Sequence, residues 1–168
     1  MHAEPAPDPR LPDGRFQGPQ EFAQHVRDAL DAAATAGWRE MVWADADFAD
    51  WPLGERAVTE SLQRWAAAGR QLVLVAQSFA VFERHHARFV HWRQMWSHIV
   101  EARVCKGSGL PEVPSAIWTA HWSLRRLDVE RCTGLCSRDA VARRHLRETI
   151  DECLRHSRAG FPVTTLGL

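Results

Sequence analysis

The feature that most constrains the fold of this chain is an alternation of short apolar segments with longer segments of helical period. Between Pro19 and Gly37, for example, Phe22, Val26 and Leu30 recur at a spacing of four residues, which predicts an amphipathic helix. Apolar runs such as 71–76 are too short for a helix and predict buried strands. Helices are predicted over 19–37, 55–68, 79–98 and 138–157, and strands over 40–44, 71–76, 99–105, 115–128 and 131–135.

This order of elements indicates the fold class and the domain organisation. Strands that are separated by helices need crossover connections, which join parallel neighbours in a sheet. We therefore predict an α/β fold with a mixed, mostly parallel sheet and helices on both faces. Residues 19–168 show no internal repeat and are expected to form one domain. Residues 1–18 are rich in proline and lack an apolar run, so we expect a disordered or loosely attached arm.

The composition restricts the partners and the cellular environment. The chain has 168 residues, with 21 Lys and Arg balanced by 21 Asp and Glu. A net charge of zero provides no overall attraction to polyanions, so we expect neither nucleic acid nor an anionic membrane as a partner. The longest apolar run, Leu72–Ala76, is too short to span a bilayer, and we expect a soluble, cytoplasmic protein with four reduced cysteines.

Eight tryptophans and no tyrosine form an unusual aromatic set. The tryptophans are spread along the whole sequence instead of being clustered in one segment. This distribution favours packing in the core or in a dimer interface over a platform on which bases would stack.

One segment near the C-terminal end has the spacing of a catalytic motif. His121 and Ser123 lie two positions apart on a predicted strand and should project from one face, and Asp128 follows at a spacing of seven. Gly134 and Ser137 come next, in a segment that leads into the last predicted helix. A lone strand histidine is also a common structural residue, and an aspartate is a common turn residue, so only the joint spacing favours a functional site.

With this spacing, the chain resembles one half of the phospholipase D-like superfamily, over roughly residues 22–157. Modules of that superfamily contain the pattern His-x-Lys-x-x-x-x-Asp, followed by a Gly-Ser turn and a helix. His121 and Asp128 match the histidine and the aspartate, whereas Ser123 stands where the superfamily has lysine. Gly134 and Ser137 correspond to the Gly-Ser segment, although they are not adjacent here.

The resemblance implies a phosphodiesterase mechanism and a dimer. In the superfamily one histidine forms a phosphohistidine, and the histidine of a facing module protonates the leaving oxygen. The lysine neutralises the phosphoryl oxygens, and the aspartate orients its histidine. A chain with one module would therefore form a homodimer with both His121 side chains facing across the two-fold axis, around a phosphate-containing ligand.

Ser123 cannot supply the positive charge of the missing lysine, and losing such a cation costs roughly a thousandfold or more in rate. We therefore expect a catalytically impaired module with a binding or regulatory role and without a cofactor. Two alternatives stay open. One is an active phosphodiesterase in which Arg125, on the same strand face as Ser123, replaces the lysine as a phosphate clamp. The other is a structural interaction domain.

Other clusters of polar residues have weaker functional patterns. Cys132 and Cys136 are spaced as Cys-x-x-x-Cys, but neither Cys105 nor Cys153 belongs to a second close pair, so we expect no zinc site. An acidic loop follows the strand at 40–44, and a basic stripe lies on the last helix; both are expected to be solvated. The loop contains Asp45, Asp47 and Asp50, and the stripe contains Arg138, Arg143, Arg144 and Arg147.

Overall fold

The computed structural model describes residues 11–162 of the chain. The eight strands of this part are β1 (Gly14–Gln17), β2 (Glu40–Ala44), β3 (Gln71–Ala76), β4 (Val100–Val104), β5 (Ser115–Thr119), β6 (Ser123–Asp128), β7 (Thr133–Ser137) and β8 (Arg158–Ala159). Its five helices are α1 (Pro19–Ala36), α2 (Arg56–Trp65), α3 (Phe82–His85), α4 (Ala87–Met95) and α5 (Ala140–Arg155). The predicted α/β fold class is confirmed.

All strands lie in one mixed sheet, in the order β1-β7-β6-β5-β2-β3-β4-β8. The pairs β2–β3 and β3–β4 are parallel, and the other five pairs are antiparallel. The prediction of a mostly parallel sheet is therefore wrong. Helices connect β2 to β3 and β3 to β4, as predicted, but β5, β6 and β7 are joined by tight turns, which can only link antiparallel neighbours.

Helices cover both faces of the sheet, as predicted. Alternate residues of β2 face opposite layers: Met41 and Trp43 pack with the residues of α1 to α4, whereas Val42 and Ala44 pack with those of α5. This alternation follows from the period of two in a strand. Because both sides of β2 are buried, the strand is almost continuously apolar.

The predicted arm is wrong for the residues that the structure describes. Gly14–Gln17 pairs with β7 as an edge strand, and Phe16 is only 2% exposed. Leu11 is also buried in the main core. The strand pairing, the buried side chains of Leu11 and Phe16, and the hydrogen bond from Trp122 Nε1 to the Pro12 carbonyl at 2.9 Å hold this segment despite its proline content. Residues 1–10 lie outside the described residues, as do residues 163–168 at the other end.

The helix predicted over 79–98 is divided into α3 and α4 at His86. The backbone of His86 has φ −127° and ψ 40°, which interrupts the helix. Its side chain is 3% exposed, and its Nε2 lies 2.7 Å from the carbonyl oxygen of Phe48. The contact with a distant loop therefore overrides the helical period of the sequence.

The tryptophans and cysteines are largely in the interior. Six tryptophans are buried, and Trp96 and Trp118 are partly exposed, which confirms core packing. All four cysteines are buried free thiols, as predicted. Within residues 11–162, no helix combines the length and the hydrophobicity that crossing a bilayer requires.

Candidate ligand-binding pocket

His121 lies in the turn between β5 and β6, not on a strand as predicted. The hydroxyl of Thr119 holds this turn: it accepts from the backbone N of Trp122 at 2.8 Å and of His121 at 3.2 Å, and it donates to the Trp122 carbonyl at 2.6 Å. The His121 ring stacks on Trp38, with ring centroids 5.5 Å apart. The turn divides the single strand predicted over 115–128 and removes His121 from the face of Ser123.

Asp128 ends β6 and forms part of the turn to β7. One of its carboxylate oxygens accepts a hydrogen bond from the backbone N of Arg131 at 3.0 Å. Asp128 is the last of the six residues of β6 and His121 lies in the turn before the first, so at about 3.3 Å per residue roughly 17 Å of strand separates Ser123 from Asp128, with His121 beyond Ser123. Asp128 therefore cannot orient His121 within one chain.

Ser123, Arg125 and Ser137 do come together on one face of the sheet. Ser123 pairs with Ser137, and Arg125 pairs with Leu135, so their side chains project from the same side. This face borders a pocket of about 430 Å³ between the sheet and α5. The prediction that Ser123 and Arg125 share a face is confirmed, and His121 is not among the residues that line this pocket.

The polar groups of the pocket differ in how they are engaged. The Ser137 hydroxyl accepts from the backbone N of Asp139 at 3.0 Å, at the start of α5. Ser123 is only 5% exposed, and Arg125 is half-buried. Neither of these two side chains forms a hydrogen bond or an ion pair with any part of residues 11–162. They are the groups of this face that can bind a ligand.

Gly134 has a packing role instead of the predicted ligand-binding role. It lies on β7 opposite Arg126. A Cβ at this position would overlap the carbonyl oxygen of Arg125 and lie 2.8 Å from the Cα of Arg126. Glycine is therefore required for the close approach of β7 to β6.

The acidic loop binds a cation from within the chain, a contact that we did not predict. The Arg126 side chain is fully buried, with its Nη2 2.8 Å from Asp45 Oδ1 and 3.0 Å from Asp50 Oδ1. Its Nε donates to the Ser115 hydroxyl at 2.7 Å, and the guanidinium lies 4.1 Å from the Phe22 ring centroid. The sequence does contain a signal for this burial: Arg126 has the same period-two alternation as Trp122 and Leu124 and therefore lies on the buried side of the strand.

This cluster keeps Arg126 charged. Burial by itself would lower the pKa of Arg126, but the hydrogen bond with Asp50 and the charges of Asp45 and Asp50 raise that pKa well above its usual range. Asp45 is 3% exposed and also accepts from the backbone N of Phe48 at 2.8 Å. The expectation of a solvated acidic loop is therefore wrong for Asp45, because its carboxylate is used inside the protein.

Most of the basic stripe is likewise engaged, although Arg138 lies just before α5 and not on it. Arg138 donates to the carbonyl of Leu11, and Arg143 donates to the carbonyl of Arg138, both at 2.6 Å. Arg147 lies 4.5 Å from the Trp118 ring centroid and pairs with neighbouring carboxylates. The described part of the chain contains no group of three or more His, Cys, Asp or Glu residues that could hold a metal ion.

The comparisons with known proteins give a likeness of fold. No family model and no curated protein matches the chain. Among solved structures, one match is TrmBL2, an archaeal chromatin protein that shows a novel mode of DNA binding. The two are 12% identical with a TM-score of 0.64, and the match covers 91% of this chain and 56% of TrmBL2. This chain therefore corresponds to about half of that protein.

This likeness contradicts the prediction that nucleic acid is not a partner. A protein that binds DNA contains the same fold, so neither this fold nor a net charge of zero removes nucleic acid from the candidates. A net charge of zero is a sum over the whole chain. Phosphate contacts depend instead on the local arrangement of basic side chains.

Proposed function

We propose that this chain is a phospholipase D-like module that has lost phosphodiesterase activity and acts by binding, in a regulatory role. The observation that carries the proposal is the separation of the matched motif residues: His121 and Asp128 lie at opposite ends of β6. A phosphohistidine mechanism needs a histidine that a carboxylate orients and a cation beside the phosphoryl group. Ser123 provides no charge, and Asp128 is committed to a turn.

The geometry disfavours the rescue of catalysis by Arg125. Arg125 lines the pocket beside α5, whereas His121 stacks on Trp38 and borders a separate cavity of about 310 Å³. A guanidinium in one pocket cannot neutralise a phosphoryl group that a histidine attacks in another. The homodimer that the resemblance implies stays a prediction, for which sedimentation equilibrium is the direct measurement.

Hydrolysis of bis(p-nitrophenyl) phosphate tests the loss of activity. We expect no turnover above the buffer blank for the wild-type protein, and the same result for His121→Ala. Turnover by the wild-type protein that disappears in His121→Ala would overturn the proposal and identify His121 as a catalytic residue. Turnover above the blank that is equal in both proteins would also overturn the proposed loss of activity, and it would exclude His121 from the mechanism.

DNA binding is a second candidate function, which the shared fold with TrmBL2 supports. Fluorescence anisotropy of a labelled DNA duplex, measured at several salt concentrations, tests it. If the chain binds DNA through phosphate contacts, the logarithm of the binding constant should fall linearly with the logarithm of the salt concentration. Binding that is absent at low salt would remove this candidate for the chain alone.

A further inference from the structure

One face of the sheet is only partly covered by α5. The helix packs against β3 and β5, and its buried residues contact the side chains of β2, β3 and β5. Strands β6 and β7 extend beyond it on the same face. Leu127 and Leu135 on these strands are 65% and 40% exposed, although large apolar side chains are usually buried.

The pocket described above is located where this open face meets α5. Its walls are largely apolar and are formed by Leu127, Leu135, Ala142 and Leu146. Its volume of about 430 Å³ is within the range of small-molecule sites, roughly 300–1,000 Å³. Apolar walls with a few convergent polar groups are typical of sites that bind small organic molecules.

Two polar side chains of the pocket lack partners in residues 11–162, namely Ser123 and Arg125. Ser123 is 5% exposed, and its hydroxyl oxygen is not one of the fully buried, unpartnered polar atoms of residues 11–162, so the hydroxyl is accessible from the pocket. A ligand in the pocket can therefore accept hydrogen bonds from both Ser123 and Arg125. Because a guanidinium has no acceptor, the matching ligand group must be an acceptor and is best an anion.

The charges of the pocket favour a monoanion. Among the described residues, Arg125, His145, Asp13 and the Cys136 thiol are the ionisable groups that line it, and Asp13 is on the segment that enters β1. A phosphate dianion would be repelled by Asp13 and neutralised only in part by one guanidinium. A carboxylate needs a single charge and fits the planar fork of a guanidinium with two parallel hydrogen bonds.

We propose that this pocket binds a small carboxylate with an apolar body. Its carboxylate is held by Arg125 with the Ser123 hydroxyl as a further donor, and its apolar part contacts Leu127, Leu135 and Leu146. The inference rests on the binding role proposed above and names the class of ligand for it. It replaces the phosphate-containing ligand that the resemblance implied.

Isothermal titration with a series of straight-chain carboxylates, from acetate to hexanoate, tests the inference. We expect saturable binding of hexanoate, with affinity that rises about fourfold for each methylene that becomes buried. Hexanol, which lacks the charge, and inorganic phosphate are expected to bind at least tenfold more weakly. Absence of saturable binding by every carboxylate would overturn the proposal, and tighter binding of hexyl phosphate would exclude the carboxylate class.

Variants at Arg125 identify the site. Arg125→Gln should weaken hexanoate binding about tenfold or more, and its folding should be unaffected because the side chain has no partner in residues 11–162. The matched control is Arg131→Gln. The Arg131 side chain is 83% exposed in the turn after β6, so this variant should bind hexanoate as the wild type does. Equal binding by Arg125→Gln would overturn the assignment.

A second variant blocks the anion site without removing the arginine. Leu135→Asp adds a negative charge next to Arg125 at an exposed position and should abolish hexanoate binding. These titrations are independent of the phosphodiesterase assay. Failure to bind carboxylates removes this ligand class, whereas hydrolysis that depends on His121 removes the proposed function.

Discussion

Asp45 and Arg126 form an ion pair in the protein interior, with Oδ1 and Nη2 2.8 Å apart and side chains that are 4% and 0% exposed. Asp45 follows the C-terminal end of β2 in the loop, and Arg126 lies near the C-terminal end of β6, on the second strand away from β2. The pair therefore connects the parallel part of the sheet, made of β2, β3 and β4, to the antiparallel part.

Breaking this pair should strongly destabilise the fold. Arg126→Met removes the guanidinium and leaves Asp45 buried with its charge uncompensated. Removing one partner of a buried ion pair typically costs about 3–5 kcal/mol of unfolding free energy. Urea unfolding, followed by the fluorescence of the buried tryptophans, would measure the loss.

The exposed pair Arg56–Glu60 provides the matched control. Its side chains are 82% and 66% exposed, so Arg56→Met should change the unfolding free energy by about 0.5 kcal/mol or less. Equal effects of Arg56→Met and Arg126→Met would contradict a stabilising role for the buried cluster.

Gly134→Ala should also destabilise the protein, because the new methyl group would meet backbone atoms of β6 and not a movable side chain. Forcing the two strands apart should cost about 2 kcal/mol or more. Gly107→Ala is the comparison: its Cβ would lie 3.3 Å from the end of the Leu110 side chain, which can rotate away. Thermal unfolding of both variants should show the larger decrease for Gly134→Ala, and equal decreases would refute the steric explanation.

Local periodicity in the sequence was sufficient for the elements whose structure depends mainly on their own residues. The helix predicted over 19–37 forms because its apolar stripe, including Phe22 and Val26, is buried, and Gly37 ends it with φ 68°. The strand predicted over 71–76 is also present with those bounds. In both segments the spacing of the apolar residues and the local conformational preferences favour the same element, so the sequence alone predicts it.

Contacts between residues that are distant in the sequence, or a single turn, explain the predictions that were wrong. The alternation of period two continues through residues 119–123, so it could not reveal that Thr119 folds the chain into a turn there. That single turn moved His121 from the predicted face. Similarly, the buried cluster of Arg126 needs a loop that lies 76 to 81 residues earlier in the chain. Residue spacing along one segment contains no information about such pairings.

Stability should decrease when the pH falls below about 6.5. Burial lowers the pKa of His86 from its ordinary value of 6.5, although the hydrogen bond to the carbonyl of Phe48 partly offsets this, and burial also lowers the pKa of His25. The unfolded chain therefore binds protons more readily than the folded protein. The contribution of His86 and His25 to the unfolding free energy is fully present above pH 6.5, where both imidazoles are neutral in the folded and unfolded states. This contribution is lost as the pH falls from 6.5 towards the folded-state pKa values.

Unfolding free energies at pH 7.5 and pH 5.5 would measure this dependence. His86→Gln keeps a hydrogen-bond donor for Phe48 but does not titrate, so it should reduce the difference between the two pH values. A pH dependence that is identical in His86→Gln and in the wild type would exclude His86 as a source.

The four cysteines should react slowly in the folded protein, because all of them are buried and the thiolate is the reactive form. Burial raises the pKa of Cys136 to about 12 and that of Cys153 to about 11, with the neighbouring Cys105 adding to the second shift. Ellman's reagent at pH 8 should therefore label little of the native protein and four thiols per chain in urea. Leu135→Cys, at a 40% exposed position, should add one thiol that reacts rapidly without urea. Rapid labelling of the wild-type protein without urea would contradict the burial of these thiols.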